Sequence, residues 1–104
     1  MNTKIRNWYI VSILENWTKR FMGLTLYGEV AEDPTGRFVI GSIFCSSIID
    51  RIDADAMLIH TDSGSTYELE GPHGRQFDAW LDEVKLLRNG YYLAEIVAQR
   101  RISL

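Results

Sequence analysis

The chain has 104 residues, of which 46% are hydrophobic and 24% charged, and carries a net charge of −3. These figures fit one globular domain with a single core, and exclude a disordered chain or two independent cores. The lone cysteine, Cys45, excludes an intrachain disulfide and a cysteine-based zinc site.

Lys4 and Arg6 precede an apolar run over residues 8–14, but the run is short and ends at Glu15-Asn16. No small-residue cleavage site follows, which argues against a signal peptide, and nothing is long enough to span a bilayer. The expectation is a soluble, cytoplasmic protein.

Residues 7–15 are rich in Trp, Tyr, Ile and Val and predict a strand. Alternation places Trp8, Ile10 and Leu14 on one face and Tyr9, Val11 and Ile13 on the other, which suits a strand covered on both sides. A helix over 8–22 stands as the alternative. Asn16 to Arg20 predicts a turn, with Trp17 either folded over the core or exposed. Residues 21–32 alternate, with Leu24, Leu26, Gly28 and Val30 on one face and Thr25, Tyr27, Glu29 and Ala31 on the other. Gly28 marks a bulge or a close backbone approach.

Asp33-Pro34-Thr35-Gly36 is a turn signal. From Gly36 to Ile49 the pattern predicts a long third strand, bent at Gly41, with Ser46-Ser47 shifting its register. Asp50 to Ala56 reads as a polar connection with Ile52 inward. Residues 57–69 predict two strands joined through Asp62-Ser63-Gly64; Tyr67 and Leu69 face one way, Thr66, Glu68 and Glu70 the other. Gly71-Pro72-His73-Gly74 breaks the sheet. In residues 75–88, Phe77, Trp80, Leu81, Val84 and Leu87 recur at helical spacing, and Asn89-Gly90 stops that helix. A second helix over 92–101 is expected to bury Tyr92, Leu93, Ile96 and Val97. The fold class is α+β: a curved five-stranded antiparallel sheet, a small barrel or roll, followed by two C-terminal helices.

Charge is uneven. Residues 1–21 carry Lys4, Arg6, Lys19 and Arg20 against Glu15, whereas residues 22–74 carry nine acids against Arg37 and Arg51. An acidic middle repels phosphate and attracts basic surfaces, which disfavours nucleic acid and favours a basic protein partner. The candidate binding residues are Glu29, Asp50, Asp53, Asp55, Asp62, Glu68 and Glu70, with Tyr27, Trp17 and Tyr91 as exposed aromatics. Phe44 and Tyr92 are further exposed candidates.

Four other chemistries have the residue types they need. Cys45 with His60 would make a thiol nucleophile and base, but an apolar strand usually buries such a cysteine. Ser46 or Ser47 with His60 and Asp62 or Asp50 holds the members of a hydrolase triad; no nucleophile elbow exposes a hydroxyl, and bonding to backbone at a bulge is the simpler role. His60 and His73 with Asp50, Asp53, Asp55 or Asp62 could ligate a metal, yet the glycine and terminal Glu of a calcium loop are missing, so a solvated acidic loop is expected. The N–H groups of Gly71 to Gly74 could receive an anion, although Pro72 removes one donor and a hinge is the plainer reading.

The pattern Gly36-Arg37-Phe38, Gly41, Ser46-Ser47, Ile49, Thr61, Gly64-Ser65, Tyr67 and Leu69 resembles that of small, functionally uncharacterised β-rich proteins of proteobacteria and their phages. Ser46-Ser47 stands here where that pattern has Thr-Ser. The resemblance covers about a third of the chain. It implies a β-rich fold and a bacterial or phage-infected cell, and it transfers no activity and no cofactor.

The expected function is therefore non-catalytic protein binding: an inhibitor of a bacterial defence complex, anti-CRISPR-like, that offers an acidic face to a basic nucleic-acid channel. An antitoxin or immunity protein is the alternative, and a small hydrolase using Ser47 or Cys45 with His60 the third. A homodimer through an exposed edge strand is compatible with each.

Overall fold

The computed structural model describes residues 2–71 and 74–102. Six strands and two helices follow in order: β1 (Thr3–Leu14), β2 (Phe21–Glu32), β3 (Ile43–Asp53), β4 (Leu58–Thr61), β5 (Thr66–Leu69), β6 (Arg75–Trp80), α1 (Leu81–Arg88) and α2 (Leu93–Ile102). The sheet runs β2-β3-β4-β5-β1-β6, and β1 also pairs with β2, so the first five strands close a ring with β6 added outside it. The fold is α+β as expected. The sheet is mostly antiparallel, with β5 and β6 both parallel to β1.

Two apolar clusters occupy the two faces of this sheet. The first takes Ile5, Leu26, Val30, Phe44, Ile59, Tyr67 and Leu69, at least one residue from each ring strand, and so fills the barrel. The second takes Val11, Ile13, Tyr27, Ala79, Val84, Leu87 and Ile96, and lies outside the ring under the helices. The two faces foreseen for β1 are correct: Trp8 and Ile10 pack on the first cluster, Tyr9, Val11 and Ile13 belong to the second.

Ile5 joins Trp8 and Ile10 only because of a bulge. The β1–β2 register shifts between Arg6 and Tyr9, and Asn7 has φ +50°. One extra residue reverses the in–out phase of everything that precedes it. Opposite the bulge lies Gly28, whose missing side chain lets β1 approach: a Cβ there would stand 2.5 Å from Ile5 Cγ2 and 3.0 Å from the Arg6 carbonyl oxygen. A second bulge falls at Ser46-Ser47, where the β2–β3 register shifts. There the Ser46 hydroxyl replaces a ladder bond, accepting from Leu26 N at 2.9 Å and donating to the Ser47 carbonyl.

Three expectations are corrected. Residues 36–42 form a loop, not the first half of β3. The Asp33 carboxylate takes the N–H groups of Thr35 and Phe38, which removes them from any ladder, and Gly36 and Gly41 have φ of +74° and +87°. Val39 and Ile40 are exposed there. The polar connection is shorter than expected, because Asp50 to Asp53 continue β3 against β4. Residues 75–80 are a strand rather than the start of the helix. β5 covers only Thr3 to Ile5 of β1, and residues 75–80 hydrogen-bond to the remaining edge, from Tyr9 to Leu14.

The helices behave closer to expectation. Gly90 has φ +94° just beyond the Asn89 cap, and Arg88 and Lys85 lie in the last turn of α1. In α2, Ile96 is fully buried, but Tyr92 is 56% exposed and precedes the helix. The helix considered over 8–22 does not form, and β1 begins at Thr3 instead of residue 7. Trp17, in the β1–β2 turn, does not fold back over the core; it is 96% exposed.

Candidate functional site

The hydroxyl, thiol and imidazole groups that a hydrolase would need are each engaged elsewhere. Ser47 Oγ lies 2.8 Å from Ser63 Oγ, which in turn lies 2.9 Å from Thr61 Oγ1. His60 Nδ1 faces Thr66 Oγ1 and Nε2 faces Arg51 Nη2, both at 3.1 Å. A guanidinium only donates, so in this contact His60 Nε2 is the acceptor. The lone pair that a general base would use is therefore spent on Arg51. Ser46 is consumed by the bulge, as the simpler reading expected. Cys45 contacts Thr25 Oγ1 at 3.7 Å and packs against the second cluster. Burial pushes its thiol pKa up, against smaller opposing effects of Thr25 and Arg88.

No group of three or more His, Cys, Asp or Glu side chains converges as a metal site among the described residues. Pro72 and His73, which the metal and anion readings invoked, lie outside the described residues.

The acidic candidates divide into two sets. Glu29 is held by Arg6, whose Nε and Nη2 reach its Oε1 at 3.0 and 2.6 Å. Lys4 bridges Glu68 and Glu32 at 3.4 and 3.5 Å, and hydrogen bonding to Glu68 leads the causes that raise its pKa. Glu29 is thus paired within the chain and Glu68 shares the single Lys4 charge with Glu32, which corrects the expectation that both stand free on a docking face. Asp50, Asp53, Asp55, Asp62 and Glu70 have no cationic partner among the described residues. They come from the end of β3, the β3–β4 turn, the β4–β5 turn and the residue after β5. The nearest cations in sequence are occupied: Arg51 by His60, and Arg37 by the Phe38 ring, 5.1 Å from its centroid. The Asp62 N–H donates to the Ile48 carbonyl at 2.8 Å, which brings the β4–β5 turn beside the middle of β3. Asp53 Oδ1 accepts from the Ala56 N–H and so shapes the turn carrying Asp55.

The aromatic candidates also divide. Tyr27 is 5% exposed and Phe44 is 7% exposed, so neither is a surface residue. Tyr27 is buried in the cluster it shares with Val84 and Leu87 of α1 and Ile96 of α2; its Oη accepts the Leu93 N–H at 2.9 Å and ties α2 to the sheet. Trp17 and Tyr91 remain at the surface, as does Tyr92. Trp17 has φ +75° and shares the hairpin end with exposed Phe21 and Met22. Nothing in the sequence alone separated Tyr27 from Trp17, because burial of Tyr27 depends on a helix docked from 66 residues away.

The outer edge of the sheet is partly covered. β6 is the outermost strand, but its Asp78 carbonyl accepts from Arg100 Nη2 at 2.8 Å and its Trp80 N–H donates to Glu83 Oε1 at 2.9 Å. Arg100 also pairs with Glu83 and lies over the Phe77 ring, 4.9 Å from its centroid. This covering is how a short edge avoids strand addition.

Sequence reasoning missed a cleft between the β1 bulge and the start of β6, lined by Asn7, Trp8, Tyr9 and Arg75. The Trp8 Nε1–H is buried with no acceptor among the described residues. No periodicity or motif marks this cleft, since Arg75 reaches Tyr9 only through the parallel β1–β6 pairing. Comparison with known protein families, curated proteins and solved structures finds no match to this chain.

Proposed function

We propose that this protein is a non-catalytic protein-binding module that docks a basic surface through its β3–β5 acidic face. The observation that carries this reading is the set Asp50, Asp53, Asp55, Asp62 and Glu70, which have no cationic partner among the described residues, whereas Glu29 pairs with Arg6 and Glu68 with Lys4. Ile52, expected to point inward, is instead 44% exposed between Asp50 and Asp53 along β3 and adds an apolar contact. Unpaired carboxylates on strands and tight turns are held in place at little entropic cost and present a fixed negative potential to an approaching protein. The engagement of His60 by Arg51 and Thr66, and of Ser47 by Ser63, supports binding over hydrolysis. The finer reading is an inhibitor of a bacterial defence complex that occupies a basic nucleic-acid channel.

The test uses wild type and the variant carrying Asp50→Lys, Asp55→Lys and Asp62→Lys as bait in a bacterial lysate at low salt. Recovered partners are then titrated with each purified bait. The expected result is a partner with a basic surface that binds wild type and not the variant. Its affinity falls steeply between about 0.05 and 0.5 M salt, where the Debye length shrinks severalfold. A partner held equally by both baits, or binding indifferent to salt, overturns the reading.

A further inference from the structure

We infer that His60 and Arg51 form a pH-operated latch on the acidic face, which is open to a basic partner while the imidazole is neutral and is partly closed by Arg51 once the imidazole is protonated. The inference rests on the acidic-face reading above and concerns its regulation. Arg51 lies next to Asp50 in the chain, yet its Nη2 is directed to His60 Nε2, at 3.1 Å, and not to a carboxylate. A guanidinium has only donors, so this contact exists only while Nε2 keeps its lone pair. A proton on Nε2 removes the acceptor and sets two cations at contact distance, which repel even through water. Thr66 Oγ1, 3.1 Å from His60 Nδ1, both donates and accepts and so suits the ring in either charge state. The ring stays and the arginine leaves.

The pairing register gives the released arginine a destination. β4 lies between β3 and β5. On β3, Arg51 stands opposite His60 and Asp53 opposite Leu58; on β5, Thr66 stands opposite His60 and Glu68 opposite Leu58. Residues two apart on a strand share a face, so the charged groups that face the ring from its neighbours are Arg51, Asp53 and Glu68. Glu68 already shares Lys4 with Glu32. Asp53 and Asp50 have no cationic partner among the described residues, so a freed guanidinium pairs with one of them. Protonation of His60 therefore subtracts from the face twice, by the imidazolium charge and by an internal counter-ion. Histidine ordinarily changes charge between about pH 5 and 8, a range in which carboxylates stay ionised.

Decalysine is the probe, because its ammonium groups stay charged across that range. Its binding is measured at low, constant ionic strength at about pH 7.5 and about pH 5.5 for wild type, His60→Gln and Arg51→Gln. The glutamine carbonyl accepts from Arg51 but does not titrate. His73, retained in every protein, contributes equally to each. The expected result is that acidification weakens wild type by about three- to tenfold more than His60→Gln, the worth of two surface charges, with Arg51→Gln between them. By NMR, the Arg51 Nε–H signal follows the His60 ring titration in wild type and holds its position in His60→Gln. Unchanged backbone amide spectra show that the fold survives each substitution. If wild type and His60→Gln lose affinity alike, or if the Arg51 signal ignores the His60 titration, the latch is overturned and the acidic-face reading stands. If the Asp50→Lys, Asp55→Lys, Asp62→Lys variant binds decalysine as tightly as wild type at about pH 7.5, the acidic-face reading is overturned, and the latch with it.

Discussion

Replacing Gly28 by alanine tests the close approach of β1 and β2 on which barrel closure depends. The new Cβ would lie 2.5 Å from Ile5 Cγ2, 3.0 Å from the Arg6 oxygen and 3.2 Å from Trp8 Cα. Carbon contacts are normally ~3.5–4.0 Å, so all three are compressed. The first neighbour is a side chain, but Ile5 is fully buried and has nowhere to turn. The other two are backbone at the bulge, so relief requires β1 to move outward. Gly28 does not have the positive φ found at Gly36 or Gly41, so the cost is steric rather than conformational. Overpacking of this kind costs about 1–3 kcal/mol, and the lower chain entropy of alanine returns about 0.4–1 kcal/mol. The net destabilisation is about 1–2 kcal/mol, which for a chain of this size lowers Tm by roughly 4–15 °C. Thermal and urea unfolding measure it. Ile5→Leu removes the offending γ methyl, so the double variant should recover about 0.5–1 kcal/mol relative to additivity. A Gly28→Ala protein as stable as wild type, or one showing no coupling to Ile5→Leu, refutes the reasoning.

Arg100→Ala removes the bonds to Glu83 and to the Asp78 carbonyl and should cost about 1 kcal/mol, discounted for its partial exposure; hydrogen exchange should rise in α2. The same variant uncovers the β6 edge, and sedimentation should detect concentration-dependent association that wild type lacks. Asp33 sits in partial burial that raises its pKa, but bonds from Thr35, Phe38 and Thr3 more than offset this and hold it well below the carboxylate range. A depressed folded pKa contributes stability that is present above the unfolded value of 3.8 and is lost as pH falls further. Asp33→Asn should therefore be less stable than wild type at neutral pH, with the gap closing below about pH 3, as followed by urea unfolding across pH. Cys45, half-buried and with its thiol pKa raised by burial, should react with a thiol reagent at neutral pH more slowly than a free cysteine does; labelling as fast as that of the unfolded chain would contradict this reading.

Local chemistry in the sequence was enough to indicate the second half of β1, β2, the Asp33–Gly36 turn, the Asp62–Gly64 hairpin and the αL stop at Gly90, because each depends on residues close in the chain. It also located Gly28 and Ser46-Ser47 as irregularities, since a glycine or hydroxyl pair inside an apolar strand has few other uses. The tertiary structure decided the rest. Residues 75–80 carry apolar spacing that fits a helix, but the unpaired edge of β1 from Tyr9 to Leu14 claims their backbone as a strand. Tyr27 and Trp17 are both aromatic and adjacent to polar residues; a docked helix buries one and leaves the other in solvent. Which carboxylates stay free was equally invisible, because Arg6 meets Glu29 and Lys4 meets Glu68 across strands. The Trp8–Arg75 cleft belongs to the same class. Backbone edges, counter-charges and unpaired donors find their partners across the fold, and linear spacing carries no record of those distances.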